Sequence, residues 1–194
     1  MNENTDIFGE PTPSRYVVGI DLGTTNSAVC YVDTKESPWQ IRTLGIPQLV
    51  STGEVESRET LPSFHFQPTT AEQDGGVLRL PWHKSDQQHV VGVMAREQGT
   101  STPGRVISSA KSWLCHAGVD RTAALLPWQG SDEVEKLSPV SASSRFLQHV
   151  RDAWDQQFRD ARLAEQEIVL TLPASFDEVA RELTVSAAKE AGLE

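Results

Sequence analysis

The 194-residue chain is 38% hydrophobic and 23% charged, with 27 acids against 17 Lys and Arg and a formal net charge of −10. That is chain enough for one ordinary core or for two small subdomains sharing an interface, and the acidic balance lacks the basic face that a nucleic acid partner requires. No stretch approaches the roughly 18 apolar residues of a membrane span, and the polar, acidic start, without a basic n-region or an apolar h-region, is not expected to direct export. Cys30 and Cys115 lie far apart in apolar neighbourhoods, which reads as reduced core thiols of a cytoplasmic protein rather than as a disulfide or a zinc site.

Residues 1–14 hold Gly9, Pro11 and Pro13 with hardly any apolar periodicity, so a disordered tail is expected there. Residues 17–22 and 28–32 are β-rich runs separated by Gly23 to Ser27, the pattern of a hairpin with a loop of about five residues. Further strands are expected at residues 39–44, 61–66 and 77–80, with loop chemistry at 67–76. From Pro139 to about Ala164, the residues Phe146, Val150, Ala153, Trp154, Phe158 and Ala161 recur at helical spacing, with Arg151, Asp155 and Arg159 as i,i+4 charge pairs beside them. A short apolar strand over 167–172 follows. Pro173 ends it, and a helix from about Asp177 to Ala191 places Ala180, Leu183, Ala187, Ala188 and Ala191 on one face. Helix, strand and helix in succession, joined to an early hairpin, imply an α/β fold with a mixed sheet.

The stretch GIDLGTTNSAVCYVD, residues 19–33, carries the chemistry. In a strand, Asp21 points away from Ile20 and Leu22 and shares a face with Gly19 and Gly23, so its surroundings are stripped of side chains. A carboxylate beside a turn of donors, Thr24, Thr25, Asn26 and Ser27, suits a phosphate tail with a hard cation between them, held through its waters. For this motif alone a second reading stands: Asp21 accepts hydrogen bonds from the turn, and the hydroxyls and amides are ordinary loop residues.

The usual P-loop, dinucleotide, zinc-protease and paired-cysteine signatures are absent. The histidines at 65, 83, 89, 116 and 149 lack metal-ligand spacing and are expected at the surface or half-buried. The five tryptophans have no basic groove beside them and are assigned to packing.

The 19–33 stretch resembles the first phosphate motif of the actin-like ATPase superfamily, and more narrowly that of the DnaK-type heat shock protein 70 chaperones. Three further segments are similar to that family in the same order: ETLPSFHF at 59–66, VVGVMAREQGTSTPGRVISSAKSWL at 90–114, and EIVLTLPASFDEVARELTVSAAKEAGLE at 167–194. The resemblance implies an RNase H-like fold, of which this chain is the first lobe only. Residues 15–45 and 137–194 are expected to form its core subdomain and residues 46–136 an inserted smaller one. It also implies ATP or ADP with Mg²⁺ as cofactors. Gly23, Thr24, Thr25 and Asn26 then meet phosphate, and Asp21 holds the metal through water. Lys111 serves as the catalytic cation at the terminal phosphate, and Pro173 and Arg181 relay nucleotide state to a neighbouring domain. Ser175 stands where the family has an aromatic residue. In the full-length protein, ATP hydrolysis is expected to control the binding of unfolded polypeptide clients, with co-chaperones as further partners. By itself, this one wall of a cleft is expected to be inactive. A sugar kinase of the same superfamily and a non-catalytic interaction module are the alternatives.

Overall fold

The computed structural model describes residues 14–74, 76–83, 89–130 and 133–193, so residues 1–13 of the expected tail lie outside it. In chain order the elements are β1 (Tyr16–Asp21), β2 (Asn26–Asp33), β3 (Arg42–Thr43), β4 (Ile46–Ser51), β5 (Glu54–Arg58), β6 (Thr60–Pro62), β7 (Phe64–Phe66), α1 (Thr70–Asp74), β8 (Val90–Val91), α2 (Val93–Ser101), β9 (Val106–Ser108), α3 (Ala110–Leu114), α4 (Pro139–Gln157), β10 (Glu167–Thr171) and α5 (Glu178–Glu190). Ser14 is already ordered: its carbonyl accepts from Thr34 Oγ1 and its hydroxyl from the Glu167 N–H.

The central sheet runs β10-β1-β2-β3, with β6 sharing the outer edge of β2. β1 and β2 form the expected antiparallel hairpin, from Tyr16 opposite Asp33 to Asp21 opposite Ala28. β10 lies parallel to β1 and puts Thr171 beside Asp21. The sheet is therefore mixed, as the order of elements implies. Strand alternation sorts its two faces. Val18, Ile20 and Val29 are buried with Phe146, Val150, Ala153 and Trp154 of α4 and Ala187 of α5. The opposite face carries Gly19, Cys30 and Val169 and, at the strand ends, Asp21 and Thr171. Cys30 is exposed there, and Cys115 is exposed too. Neither is the core thiol expected: Cys30 alternates away from buried Val29.

Residues 46–136 do not keep to themselves. They send β6 into the central sheet, and Leu61, Val91, Ile107, Leu114 and Leu126 into the main core. A second cluster, of Leu49, Phe66, Leu78, Leu80, Val90, Met94 and Ala95, lies wholly within them.

Several expected elements change shape for identifiable reasons. The strand at 39–44 shrinks to Arg42–Thr43, opposite Tyr31 and Cys30, with Trp39 and Ile41 exposed, while β6 pairs with the other end of the β2 edge, from Asn26 to Ala28. The run 61–66 breaks at Ser63, whose N–H donates to Thr25 O across the hairpin turn instead of continuing a ladder. Its second half joins a β8-β7-β9 sheet. Residues 77–80 form no strand. Leu78 and Leu80 are buried, but the Leu80 carbonyl closes a turn with the His83 N–H.

Helix α4 begins at an N-cap, Ser138, which accepts from the Ser141 N–H, with Pro139 in the first turn. It stops seven residues before Ala164 because its last turn captures the chain that follows: Trp154 Nε1 donates to Ala161 O, and Asp155 Oδ1 accepts the Leu163 N–H. Asp155 is thus spent on backbone, and Arg151 pairs with Asp152 rather than across a turn. The β4–β5 hairpin and α2 were not foreseen. Buried Gln48 joins them, accepting the Val93 N–H at the start of α2 and donating to Thr60 O.

Candidate functional site

The site is built at the ends of β1 and β10. Asp21 is exposed, and Thr171 Oγ1 donates to its Oδ1 at 2.9 Å. The Gly23 N–H returns to the Asp21 carbonyl, folding the chain sharply at once. A Cβ on Gly23 would lie 1.9 Å from Asn26 O, so only glycine fits this turn. Ser63 braces the turn from beneath. Its hydroxyl donates to Gly23 O at 2.7 Å and lies 3.1 Å from Ser27 Oγ. Ser27, counted among the donors from sequence, is therefore buried and committed to Ser63. Thr24, Thr25 and Asn26 remain exposed, presenting hydroxyls and an amide beside the carboxylate.

Lys111 comes to this site from α3, whose N-cap Ser109 adopts a left-handed conformation at φ 57°. Its residue exposure is 9%. Burial pushes the ammonium pKa down, and the Asp21 carboxylate, close enough to act on it, pushes it back up. Its ammonium stands over the Phe176 ring, 5.6 Å from the centroid. Pro173 O accepts the Phe176 N–H at 3.1 Å, and Phe176 O accepts Arg181 Nε at 3.3 Å. Pro173 and Arg181 are thus joined through one residue, Phe176. Asp177 caps α5 by accepting the Ala180 N–H and clamps Arg121 with both oxygens, at 3.0 and 2.9 Å.

Among the described residues no group of three or more His, Cys, Asp or Glu is arranged to hold a metal directly. One anchored carboxylate with a second free oxygen suits a cation that keeps most of its water, as Mg²⁺ does.

A family model described as Hsp70 protein matches residues 17–194. The chain belongs to the Hsp70 family. It is 28% identical over 192 residues to the chaperone protein HscA of Salmonella agona (strain SL483), covering 94% of this chain and 26% of that protein. To a chaperone protein HscA homolog of Actinobacillus pleuropneumoniae serotype 5b (strain L20) it is 30% identical over 197 residues, with the same 94% and 26% covered. The chain thus spans about a quarter of the length of the curated relatives it matches. Among the described residues no helix is long and apolar enough to cross a membrane.

In this Hsp70 chain, sequence reasoning missed Ser63, Thr171, Phe176 and the Arg121–Asp177 pair. Phe176 carried a legible signal, an apolar residue directly before the N-cap Asp177. Thr171 follows from pairing β10 with β1 in register. Arg121 gave none, because its partner is 56 residues away. Two of the five histidines also differ from expectation. His65 and His149 are buried, and His65 stacks on His89 at 4.8 Å. Of the tryptophans, Trp154 is fully buried, whereas Trp39 and Trp128 are exposed, the latter stacked on Trp113 at 5.0 Å.

Proposed function

We propose that this chain is the first lobe of an RNase H-like, actin-like ATPase domain, which in the full-length protein binds and hydrolyses Mg·ATP to control the binding of unfolded client polypeptides. The observation that carries this reading is the convergence of an anchored carboxylate, a turn of free donors and a nearly buried lysine at one strand end. Gly23, Thr24, Thr25 and Asn26 hold phosphate oxygens. Asp21 holds hydrated Mg²⁺, which when bound screens the phosphates from the carboxylate. Water attacks the terminal phosphorus, the bond to the ADP oxygen breaks, and ADP, phosphate and a proton leave. The Lys111 ammonium, itself nearly buried, stabilises the charge on the transferring group.

Pro173 and Arg181 are assigned to relaying nucleotide state, since they share the turn that Phe176 completes. Residues 15–45 and 137–194 are taken as the core subdomain and 46–136 as the smaller one, joined through β6. A cytoplasmic location and co-chaperone partners complete the proposal. Single-turnover ATP hydrolysis by the full-length protein tests it. By comparison with the loss of one oxyanion-hole donor, Lys111→Ala is expected to cost about 2.7–4 kcal/mol in the chemical step with Mg·ATP affinity little changed. Equal rates would remove Lys111 from the chemistry.

A further inference from the structure

A lysine reaches its target through four rotatable bonds, so an ammonium that works in chemistry has to be held. The Lys111 ammonium stands over the ring of Phe176, 5.6 Å from its centroid. The face of an aromatic ring is negative and attracts a cation within about 6 Å, more strongly as water is removed. Both partners are largely withdrawn from water: Lys111 is 9% exposed and Phe176 7%.

The backbone that carries the ring is fixed. The Phe176 N–H donates to Pro173 O, and its carbonyl accepts Arg181 Nε. The next residue, Asp177, is pinned twice, to the first turn of α5 and to Arg121. Phe176 therefore cannot shift unless the turn from Pro173 to Asp177 shifts with it. We propose that Phe176 is a positioning residue for Lys111: its ring face holds the ammonium at the phosphate site, and the lysine's placement follows the conformation of the 173–177 turn. The consequence for catalysis rests on the assignment of Lys111 given above. The contact itself does not.

Two variants separate the ring from its bulk. Phe176→Leu keeps an apolar side chain and removes the π face, while Phe176→Tyr keeps the face. In the full-length protein, single-turnover ATP hydrolysis is expected to slow about 5- to 30-fold in Phe176→Leu, with Mg·ATP affinity within about 3-fold, and Phe176→Tyr is expected to restore the rate. In a Lys111→Ala background Phe176→Leu is expected to change nothing further, because the ring acts through the lysine. An equal slowing in both backgrounds would overturn the proposal. NMR of the protein with its lysines ¹³C-dimethylated reads the contact without activity. The Lys111 signal, assigned with Lys111→Arg, is expected to show a ring-current shift in the wild-type protein, so the reading does not depend on the leucine variant folding. An unshifted wild-type signal would overturn the contact. A normal rate for Lys111→Ala would instead overturn the catalytic assignment, and the NMR result distinguishes the two failures.

Discussion

Lowering the pH from 7 to 5 is expected to destabilise the fold through its buried histidines. His149 donates from Nε2 to Pro47 O, and burial holds its pKa down to about 4. Burial, reinforced by Arg145, His83 and His149, holds His89 down to about 3. Both line a cavity of about 50 Å³ with Trp82, His83, Arg145 and Asp152, where a new positive charge on His89 would be repelled by Arg145 and one on His149 by His83. His65, also pushed well below the ordinary value, lies against Arg145 at 2.8 Å. The folded-state values are depressed, so the unfolded chain binds protons that the folded chain refuses. Stability is therefore full above the ordinary histidine value of 6.5 and is lost as pH falls toward the folded values. Each such histidine forfeits about 1.4 kcal/mol per pH unit in that window. At pH 5, His149 and His89 together are expected to cost about 4 kcal/mol, a large share of an ordinary domain's stability of about 5–15 kcal/mol. The carboxylates of Asp33, Asp120 and Asp177, held low by Arg15, Thr122 and Arg121, titrate below their ordinary 3.8 and stay outside this window. Urea unfolding at pH 7 and pH 5 reads the difference. His149→Gln, which keeps a donor toward Pro47 O, is expected to flatten the pH dependence. A midpoint that does not move between the two pH values, or a measured His149 pKa near 6.5, would refute the reasoning.

Two further outcomes test the site and its setting. Gly23→Ala forces a Cβ to within 1.9 Å of Asn26 O, so the hairpin turn has to open; a loss of about 1–3 kcal/mol in urea unfolding is expected, and an unchanged midpoint would show that the turn tolerates a side chain. The 194-residue chain alone is expected to bind Mg·ATP more weakly than micromolar in titration calorimetry. The donors assigned to phosphate sit on an exposed turn, where each charge contact is worth little, and micromolar or tighter binding would place a complete nucleotide site within these residues.

The hairpin and the last helix were legible because local patterns decide them. Val18 and Ile20 alternate with Gly19 and Asp21 along β1, and Ala180 and Ala187 mark one buried face of α5, continued by Ala191 at its C-cap. The middle of the chain was not legible, since its elements are short and stabilised by distant partners. Gln48 starts α2 from 45 residues away. Ser63 breaks a continuous β-rich run because its N–H leaves the ladder for Thr25 O in the hairpin turn, where its hydroxyl also meets Gly23 O, 40 residues earlier. Helix α4 reads longer in the sequence because Phe158 and Ala161 continue its apolar spacing, while Trp154 and Asp155 hold the backbone of Ala161 and Leu163 outside the helix. At the site, residue types announced Asp21 and the exposed turn. The family resemblance was needed to single out Lys111, and only the fold brings Thr171 and Phe176 to their partners.

The most direct test of the proposed phosphate site is the Mg²⁺ concentration that gives half-maximal single-turnover ATP hydrolysis in the full-length protein, wild type against Asp21→Asn. The amide keeps the acceptor for Thr171 Oγ1 but carries no charge to offer a hydrated cation. Hydrolysis is expected to require Mg²⁺, with the half-maximal concentration raised about tenfold or more in the variant, the equivalent of about 1.4 kcal/mol. The same midpoint in both proteins would contradict the assignment of Asp21 to the metal, and with it the reading of this strand end as a Mg·ATP site.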